Sequence, residues 1–380
     1  MPKSRREFLG ASLALGLTPI VSASPLRNLT KADNKLKILI LGGTSFLGPH
    51  QIAYALDRGH EVTIFTRGKT IPKIHTDRFL EVEQLVGDRE DNLEALKNRQ
   101  WDVVIDNSGL KTKWTQDTAQ LLMGQVSYYM YTSSVSVYYP YFGDDFSETR
   151  SVVTKVPEDA TGDEKFTYEY GVMKATSEEA VINNFGLEQS IIVRPTLIVG
   201  PGDRTDRFPY WLARIEKGGD IIIPGRRDEV VQYIDVRDLS EWMIRLIENK
   251  TTGVFNGSGP GFEMTTNAFV HGIHANYNSA VNYIQIDDLN FLEENGVFAI
   301  QPWVIQLPQY AGMSMSDNSK AIEADLRFRS LSDTVSATRD WWYSSAVSQE
   351  RRENILTNEQ ALMTREKQII AKWKKIMSKQ

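Results

Sequence analysis

The chain of 380 residues contains no cysteine, and that absence removes several chemistries at once: disulfide staples, thiolate metal sites, a cysteine nucleophile and a lipid anchor on sulfur. It is compatible with an oxidising compartment without requiring one. A basic surplus is lacking too. Lys and Arg number 43 against 49 Asp and Glu, a formal net charge of −6, so the counterion-release term behind non-specific nucleic-acid binding has no source, and no nucleic-acid partner is expected. Histidine is scarce, five in all. His271 and His274 stand three apart without a third ligand at suitable spacing, so no metal centre is expected and surface placement is the reading. There is no internal repeat and no low-complexity segment. With 41% hydrophobic and 24% charged residues, what is left is a globular chain long enough for one large domain or two ordinary ones, suited to small-molecule partners.

The first residues differ from the rest. MPKSRREFLG is basic, ASLALGLTPIVSA is apolar, and Val21-Ser22-Ala23 supplies the small residues of a cleavage site. The order of charge, apolar run and small residues predicts an export signal over 1–23. Arg5 and Arg6, after Ser4 and before Phe8 and Leu9, resemble the twin-arginine signal that is read by the translocation machinery for folded proteins, which implies a periplasmic location. The apolar run is too short for a typical transmembrane span, so no stable membrane anchor is expected. Residues 24–34 read as a polar linker.

From Lys37 the pattern is strand, glycine turn, helix, strand. KILIL (Lys37 to Leu41) opens into GGTSFLG and a helical stretch from about His50 to Arg58, and EVTIFT (Glu61 to Thr66) follows. Further runs at Phe79 to Val86, Asp102 to Asp106, Ser127 to Thr132, Ser190 to Val193 and Gln232 to Val236 alternate with helical stretches, including one from Leu239 to Glu248. Such alternation predicts an α/β fold, a doubly wound parallel sheet of the Rossmann type over 35–252, with a substrate-side insert near 203–230. Residues 253–345, irregular in Gly, Pro and aromatics but ending in the helical DLRFRSLSDTVSATRDWW, read as a smaller C-terminal substrate lobe. Residues 346–380 read as a helical tail, with Leu362, Ile369, Ile370, Trp373 and Met377 forming a docking face.

Gly43-x-Ser45-x-x-Gly48 is the dinucleotide fingerprint with serine at the middle place, between strand and helix as its mechanism requires. Gly42, Gly43, Thr44, Ser45, Phe46, Leu47 and Gly48 are the expected cradle of a pyrophosphate, held by free N–H groups at a helix start. Ser45 should crowd the phosphates unless its hydroxyl donates to one. Where NAD enzymes place an acid on the ribose, this chain has Thr66-Arg67-Gly68-Lys69; Arg67 leans toward NADP, and a solvated basic loop accounts for it nearly as well. Asp88 is placed either to meet the adenine amino group or to cap a helix starting near Asp91. Ser108, past the Asp102–Asp106 strand, is a further cofactor candidate.

Tyr170 and Lys174, four apart, share one face of a helix. A free tyrosine ionises only near pH 10, so a neighbouring ammonium is needed to favour phenolate, and Lys174 can also reach the nicotinamide ribose. Upstream, Tyr131-Thr132-Ser133-Ser134-Val135-Ser136-Val137-Tyr138 ends a buried strand in hydroxyls, where open parallel sheets bind ligands. Ser134 is the expected partner of the reacting oxygen. On the substrate side, Arg204 and Arg207 reach a polyol or an anionic group or else make structural salt bridges; Gln232 and Tyr138 complete the candidates, while Asp235 and Asp238 brace the chain.

GGTSFLG, YTSSVSVY, YGVMK, Arg194-Pro195 and QYIDVRDL, in this order, resemble the extended short-chain dehydrogenase/reductase family, which includes NAD-dependent sugar epimerases and dehydratases. The resemblance implies Ser134, Tyr170 and Lys174 as catalytic triad, Tyr170 being the acid/base, with NAD(P) as hydride carrier. GHEVTIFTRGK is also similar to the branch with chloroplast stem-loop RNA-binding proteins. An exported enzyme works where no free nicotinamide pool is expected. The expectation is therefore a tightly bound cofactor and a redox-neutral reaction on a sugar or glycoside, with a pool-exchanging dehydrogenase or reductase, or a non-catalytic binding protein, as the alternatives.

Overall fold

The computed structural model describes residues 31–143, 146–358 and 361–379. The expected export signal, and most of the linker after it, lie outside the described residues. No helix among those described is long and apolar enough to cross a membrane.

The centre is a seven-stranded parallel sheet. Its strands are β1 (Lys37–Leu41), β2 (Glu61–Thr66), β3 (Glu83–Val86), β4 (Trp101–Asp106), β5 (Val126–Thr132) and β6 (Ser190–Pro195), with Gly253–Gly257 as the seventh. From one edge the order runs Gly253–Gly257, β6, β5, β4, β1, β2, β3. Ile38, Leu39, Ile40 and Leu41 are all fully buried, the continuous apolar run expected of a strand covered on both faces. On one face α1 (Leu47–Asp57) and Val236–Glu248 pack over Ile38, Ile40 and Ile105. On the other, Leu39, Leu41 and Val104 meet Leu122 and Val181, from Thr112–Leu122 and the long helix Gly162–Phe185. Chain direction across the sheet reverses between β1 and β4. A ligand crevice is therefore placed at the carboxyl ends of these two strands, beside the glycine turn and Asn107.

Several expected boundaries move. The run Phe79 to Val86 divides into a helical turn, Thr76–Leu80, which buries Phe79, and β3. Two periodicities share one short apolar stretch there. The helix expected near Asp91 is a single 3-10 turn at Glu94–Leu96. Of the strand expected over Gln232 to Val236 only Ile234–Asp235 forms, paired with Ile198–Val199 outside the main sheet, because the Asp235 side chain accepts from Arg237 N and starts a helix at Val236. The sheet also continues past residue 252: Gly253–Gly257 pairs with β6, a strand hidden in the sequence by its terminal glycines.

The lobe is built from two stretches of chain. Gly219–Pro224, from the insert, pairs with Val281–Ile286, and Phe208, Trp211, Phe269 and Trp303 share one core with them. The tail docks on that core through Ile369 and Ile370, with Trp373 packed against it. Glu366, beside them on Leu362–Met377, accepts from Ile222 N at 2.8 Å and from the buried Arg214.

Candidate active site

Close packing explains the glycines of the first turn. Gly42 adopts φ +87°, and a Cβ there would lie 2.8 Å from Ser108 Cβ; a Cβ on Gly43 would lie 2.7 Å from Ile64 Cγ2. One on Gly48 would sit 2.5 Å from the Gly43 carbonyl carbon, so α1 can start against the turn only with glycine in this place. Ser45 is exposed, and the Leu47 side chain enters the core, which restricts any part it has in binding to its backbone.

A cavity of about 330 Å³ opens over this turn, and Gly42, Thr44, Ser45, Arg67, Asp88 and Ser108 all line it. Arg67 is exposed and makes no ion pair among the described residues. Asp88 caps no helix: its Oδ1 accepts from Glu90 N at 3.0 Å within its own loop, and the 3-10 turn at Glu94–Leu96 starts further on, after Leu93. Sequence reasoning missed the floor of this cavity. Arg89 is buried against Asp106, with Nη2 to Oδ2 at 2.8 Å, and also donates to Ser108 Oγ at 3.2 Å and Trp114 O at 2.8 Å. Its Nε has no partner among the described residues. A cradle too tight for any Cβ and a buried donor left over fit a bound dinucleotide.

The neighbouring cavity, about 410 Å³, brings together Ser134, Tyr170, Lys174, Arg207 and Gln232, with Asn107 and Thr132. Gly171 makes this possible: a Cβ there would lie 2.6 Å from Ser136 O, so only glycine lets Gly162–Phe185 press against the turn that carries Ser134. Ser134 caps that turn, its Oγ accepting from Ser136 N at 3.1 Å and donating to Ser136 Oγ at 3.0 Å. Lys174 is 4% exposed. Its Nζ donates to Thr132 O at 2.8 Å and stands 6.0 Å from the Tyr170 ring centre. Burial lowers its pKa to about 8, with Asp106 and Glu178 pulling the other way. Burial also raises the Tyr170 hydroxyl, opposed by a hydrogen bond with Ser134 and by the charge of Arg207. Arg207 is thus a further cation acting on Tyr170, beside the Lys174 to which the sequence pointed. Burial in turn depresses Arg207.

Two substrate candidates belong elsewhere. Tyr138 is fully buried; its hydroxyl donates to Asn256 Oδ1 at 2.7 Å and accepts from Arg194 Nη1 at 2.7 Å, because the turn after Ser134 carries it into the interior. Arg204 lines the cofactor cavity and not the catalytic one. The loop turns at Asp203, whose Oδ1 accepts from Thr205 N at 2.8 Å, and Asp206 has φ +59°, so Arg204 and Arg207 part company. Arg207 faces the catalytic cavity, with Nη1 donating to Gln301 Oε1 at 3.0 Å. Gln232 lines it too, yet its amide is engaged by the Ser316 backbone in both directions, at 2.9 and 3.1 Å. Asn107 was missed although it follows β4 at the reversal point; it accepts from Thr132 Oγ1 at 2.8 Å and donates to Gln51 Oε1 at 2.6 Å. Among the described residues no cluster suits a metal ion.

A third cavity, about 260 Å³, has Thr44, Ser45 and Phe46 on one side and Ala346, Val347 and Ser348 on the other, with Arg204 between the cofactor cavity and this one. The chain around residues 346–351 forms an arm across this cavity from the turn, and it is fastened. Arg351 Nε donates to Asp206 Oδ1 at 2.9 Å and Nη2 to Asp203 O at 2.6 Å, and its guanidinium carbon lies 5.5 Å from the ring centres of both Trp341 and Trp342. Ile74 packs into the same cluster.

A parallel sheet with a glycine-turn dinucleotide cradle and a Ser-Tyr-Lys cavity at its reversal point defines a nicotinamide-dependent Rossmann enzyme. The chain belongs to the NAD dependent epimerase/dehydratase family, which residues 38–257 match. It is 27% identical over 242 residues to the chloroplast stem-loop binding protein of 41 kDa b of Arabidopsis thaliana, and spans 60% of that relative's length and 60% of its own. Its fold is shared with WbmH of Bordetella bronchiseptica, solved with NAD+ (TM-score 0.60, 15% identity, 83% of this chain and 100% of that one). It is shared likewise with UDP-glucuronic acid 4-epimerase of Bacillus cereus, solved with NAD (0.56, 18%, 80% and 98%). UDP-N-acetylglucosamine 4-epimerase of Methanobrevibacter ruminantium M1 is a third such structure (0.58, 17%, 81% and 98%).

Proposed function

We propose that the protein modifies a sugar or glycoside without net redox change, using a nicotinamide dinucleotide that stays bound between turnovers. The observation that carries this reading is the meeting of Ser134, Tyr170 and Lys174 in one cavity beside the glycine turn. Bound nicotinamide supplies reversible hydride acceptance at a carbinol carbon. Tyr170 takes the proton of the reacting hydroxyl and returns it when the carbonyl is reduced, so the residue ends each cycle as it began. Ser134 holds the reacting oxygen, and Arg207 lowers the cost of charge on Tyr170. Lys174, anchored to Thr132 O, is positioned for a ribose hydroxyl. The arm fastened by Arg351 favours retention of the cofactor.

Retention suits a chain read as exported in the folded state through the twin-arginine machinery to the periplasm. Lysine at both Arg5 and Arg6 should leave the precursor in the cytoplasm, as fractionation would reveal. Arg67, exposed on the cofactor cavity and without an ion pair among the described residues, inclines the chemistry to NADP. The relative's stem-loop binding does not transfer readily to a chain of net charge −6. Mass spectrometry of the supernatant after denaturing purified protein should find a stoichiometric dinucleotide, and sugars screened with that form should be isomerised or dehydrated without added cofactor. An empty protein that turns over only with added cofactor would refute retention and leave a pool-exchanging dehydrogenase.

A further inference from the structure

The catalytic cavity shares Gln232 and Ser314 with a second chamber of about 180 Å³, whose wall includes Phe262, Glu263 and Asp317. The shared wall is fixed, since Gln232 exchanges two hydrogen bonds with the Ser316 backbone. Phe262 is 65% exposed, yet the loop beneath it is held. A Cβ on Gly259 would meet the Phe328 ring at 2.7 Å, and one on Gly261 would meet it at 2.9 Å. The loop backbone is seated on Phe328 and presents Phe262 as a flat apolar surface at the chamber.

The charges around this space are unequal. Among the described residues lining the two chambers the cations are Lys174, tied to Thr132 O, and Arg207, which already donates to Thr205 Oγ1 and Gln301 Oε1. Among the described residues the second chamber is lined by the carboxylates Glu263 and Asp317 and by no cation. A nucleotide diphosphate is bound by guanidinium forks, ammonium groups or helix N-termini, and like charges brought near repel it. An uncharged pyranose ring stacks its apolar face on an aromatic side chain and hydrogen-bonds carboxylates through its hydroxyls.

We infer that the substrate is a glycoside whose reacting sugar lies at Ser134 and Tyr170 and whose second, uncharged unit lies on Phe262, and not a nucleotide-diphosphate sugar. This deepens the function proposed above and rests on it for the placement of the reacting sugar. The test is saturation-transfer NMR on the full chain with its bound cofactor, using cellobiose, maltose and trehalose as neutral disaccharides, and UDP and UDP-glucose as charged probes. At least one disaccharide should receive saturation on both rings. Phe262→Ala should weaken it about tenfold and Phe262→Trp should restore it, with cofactor content unchanged as the check on folding. UDP and UDP-glucose should bind only after Glu263→Lys and Asp317→Lys are combined. Binding of UDP-glucose to the unaltered protein, silence from every disaccharide, or indifference to Phe262→Ala would each overturn the inference. Conversion of UDP-glucose to an epimer would sink it while upholding the proposed function. A disaccharide held through Phe262 but never chemically altered would do the reverse.

Discussion

Replacing Arg351 with alanine tests whether the C-terminal arm governs how long the cofactor stays. The side chain donates to Asp206 and to the Asp203 carbonyl and lies against two indole rings. Arg351 and Asp206 side chains are each 28% exposed, so the ion pair is partly screened and contributes on the order of 0.2–1 kcal/mol. The indole contacts add roughly 0.5–1 kcal/mol. Together the loss is about 0.7–2 kcal/mol, equivalent to a ~3- to 30-fold rise in the population with the arm lifted. If the dinucleotide leaves only through that state, its release should accelerate by the same factor. The assay mixes loaded protein with an excess of a dehydrogenase that consumes free dinucleotide and follows the rate of its appearance. Arg351→Lys, which keeps the charge but loses the fork, should fall between the two. Release unchanged in Arg351→Ala, alongside a lowered melting temperature, would show that the arm braces the fold without controlling exit.

Tyr170→Phe should lower turnover by roughly 10²- to 10⁴-fold while the co-purified dinucleotide and the melting temperature stay as they were; unchanged activity would point to a binding protein. Lys174, whose pKa burial lowers to about 8, should give activity a descending limb near that pH, shifted upward in Lys174→Arg. The unfolded lysine keeps its proton to about pH 10.4. Folding therefore releases a proton between those values, and stability should rise with pH across that window, as denaturant midpoints would record. His50 behaves differently: Nε2 donates to Pro201 O at 2.8 Å, Nδ1 accepts from His75 at 3.2 Å, and burial lowers its pKa to about 4. Its neutral form contributes stability above the unfolded value near pH 6.5 that is lost as pH falls toward 4, about 3 kcal/mol in all; His50→Gln should flatten acid titrations of stability over that range. Arg67→Ala should reduce affinity for NADP about tenfold relative to NAD in competition binding, and equal loss for both would remove Arg67 from the 2′ position.

The sequence was most readable where one residue type alone satisfies a local requirement. Gly42, Gly43 and Gly48 are set by contacts within a few residues or one neighbouring strand, and Tyr170 with Lys174 by helix geometry, so both groups stand out in a linear text. Arg89 and Asp106 do not. Their pairing joins consecutive strands of the chain that β1 and β2 separate in the sheet, and each in isolation resembles a surface charge. Arg204 and Arg207 were read as a pair because both follow a strand end within one short stretch, yet the left-handed Asp206 between them separates their directions. The edge strand Gly253–Gly257 forms because β6 offers it a partner, a tertiary effect that local propensity does not encode. Tyr138, at the end of a hydroxyl-rich run, could be placed only by knowing which way the turn after Ser134 leads.

The arm over the glycine turn also imposes a chronology. Every residue that cradles the cofactor precedes Ala346 in the chain, so during synthesis the crevice is complete while its cover is still unmade. If the arm covers a bound dinucleotide as proposed, one that enters in that interval is enclosed when Arg351 reaches Asp206, whereas later entry waits on the lifted state. Occupancy would then reflect the nucleotide concentration at the time the chain was finished, for as long as the arm stays down.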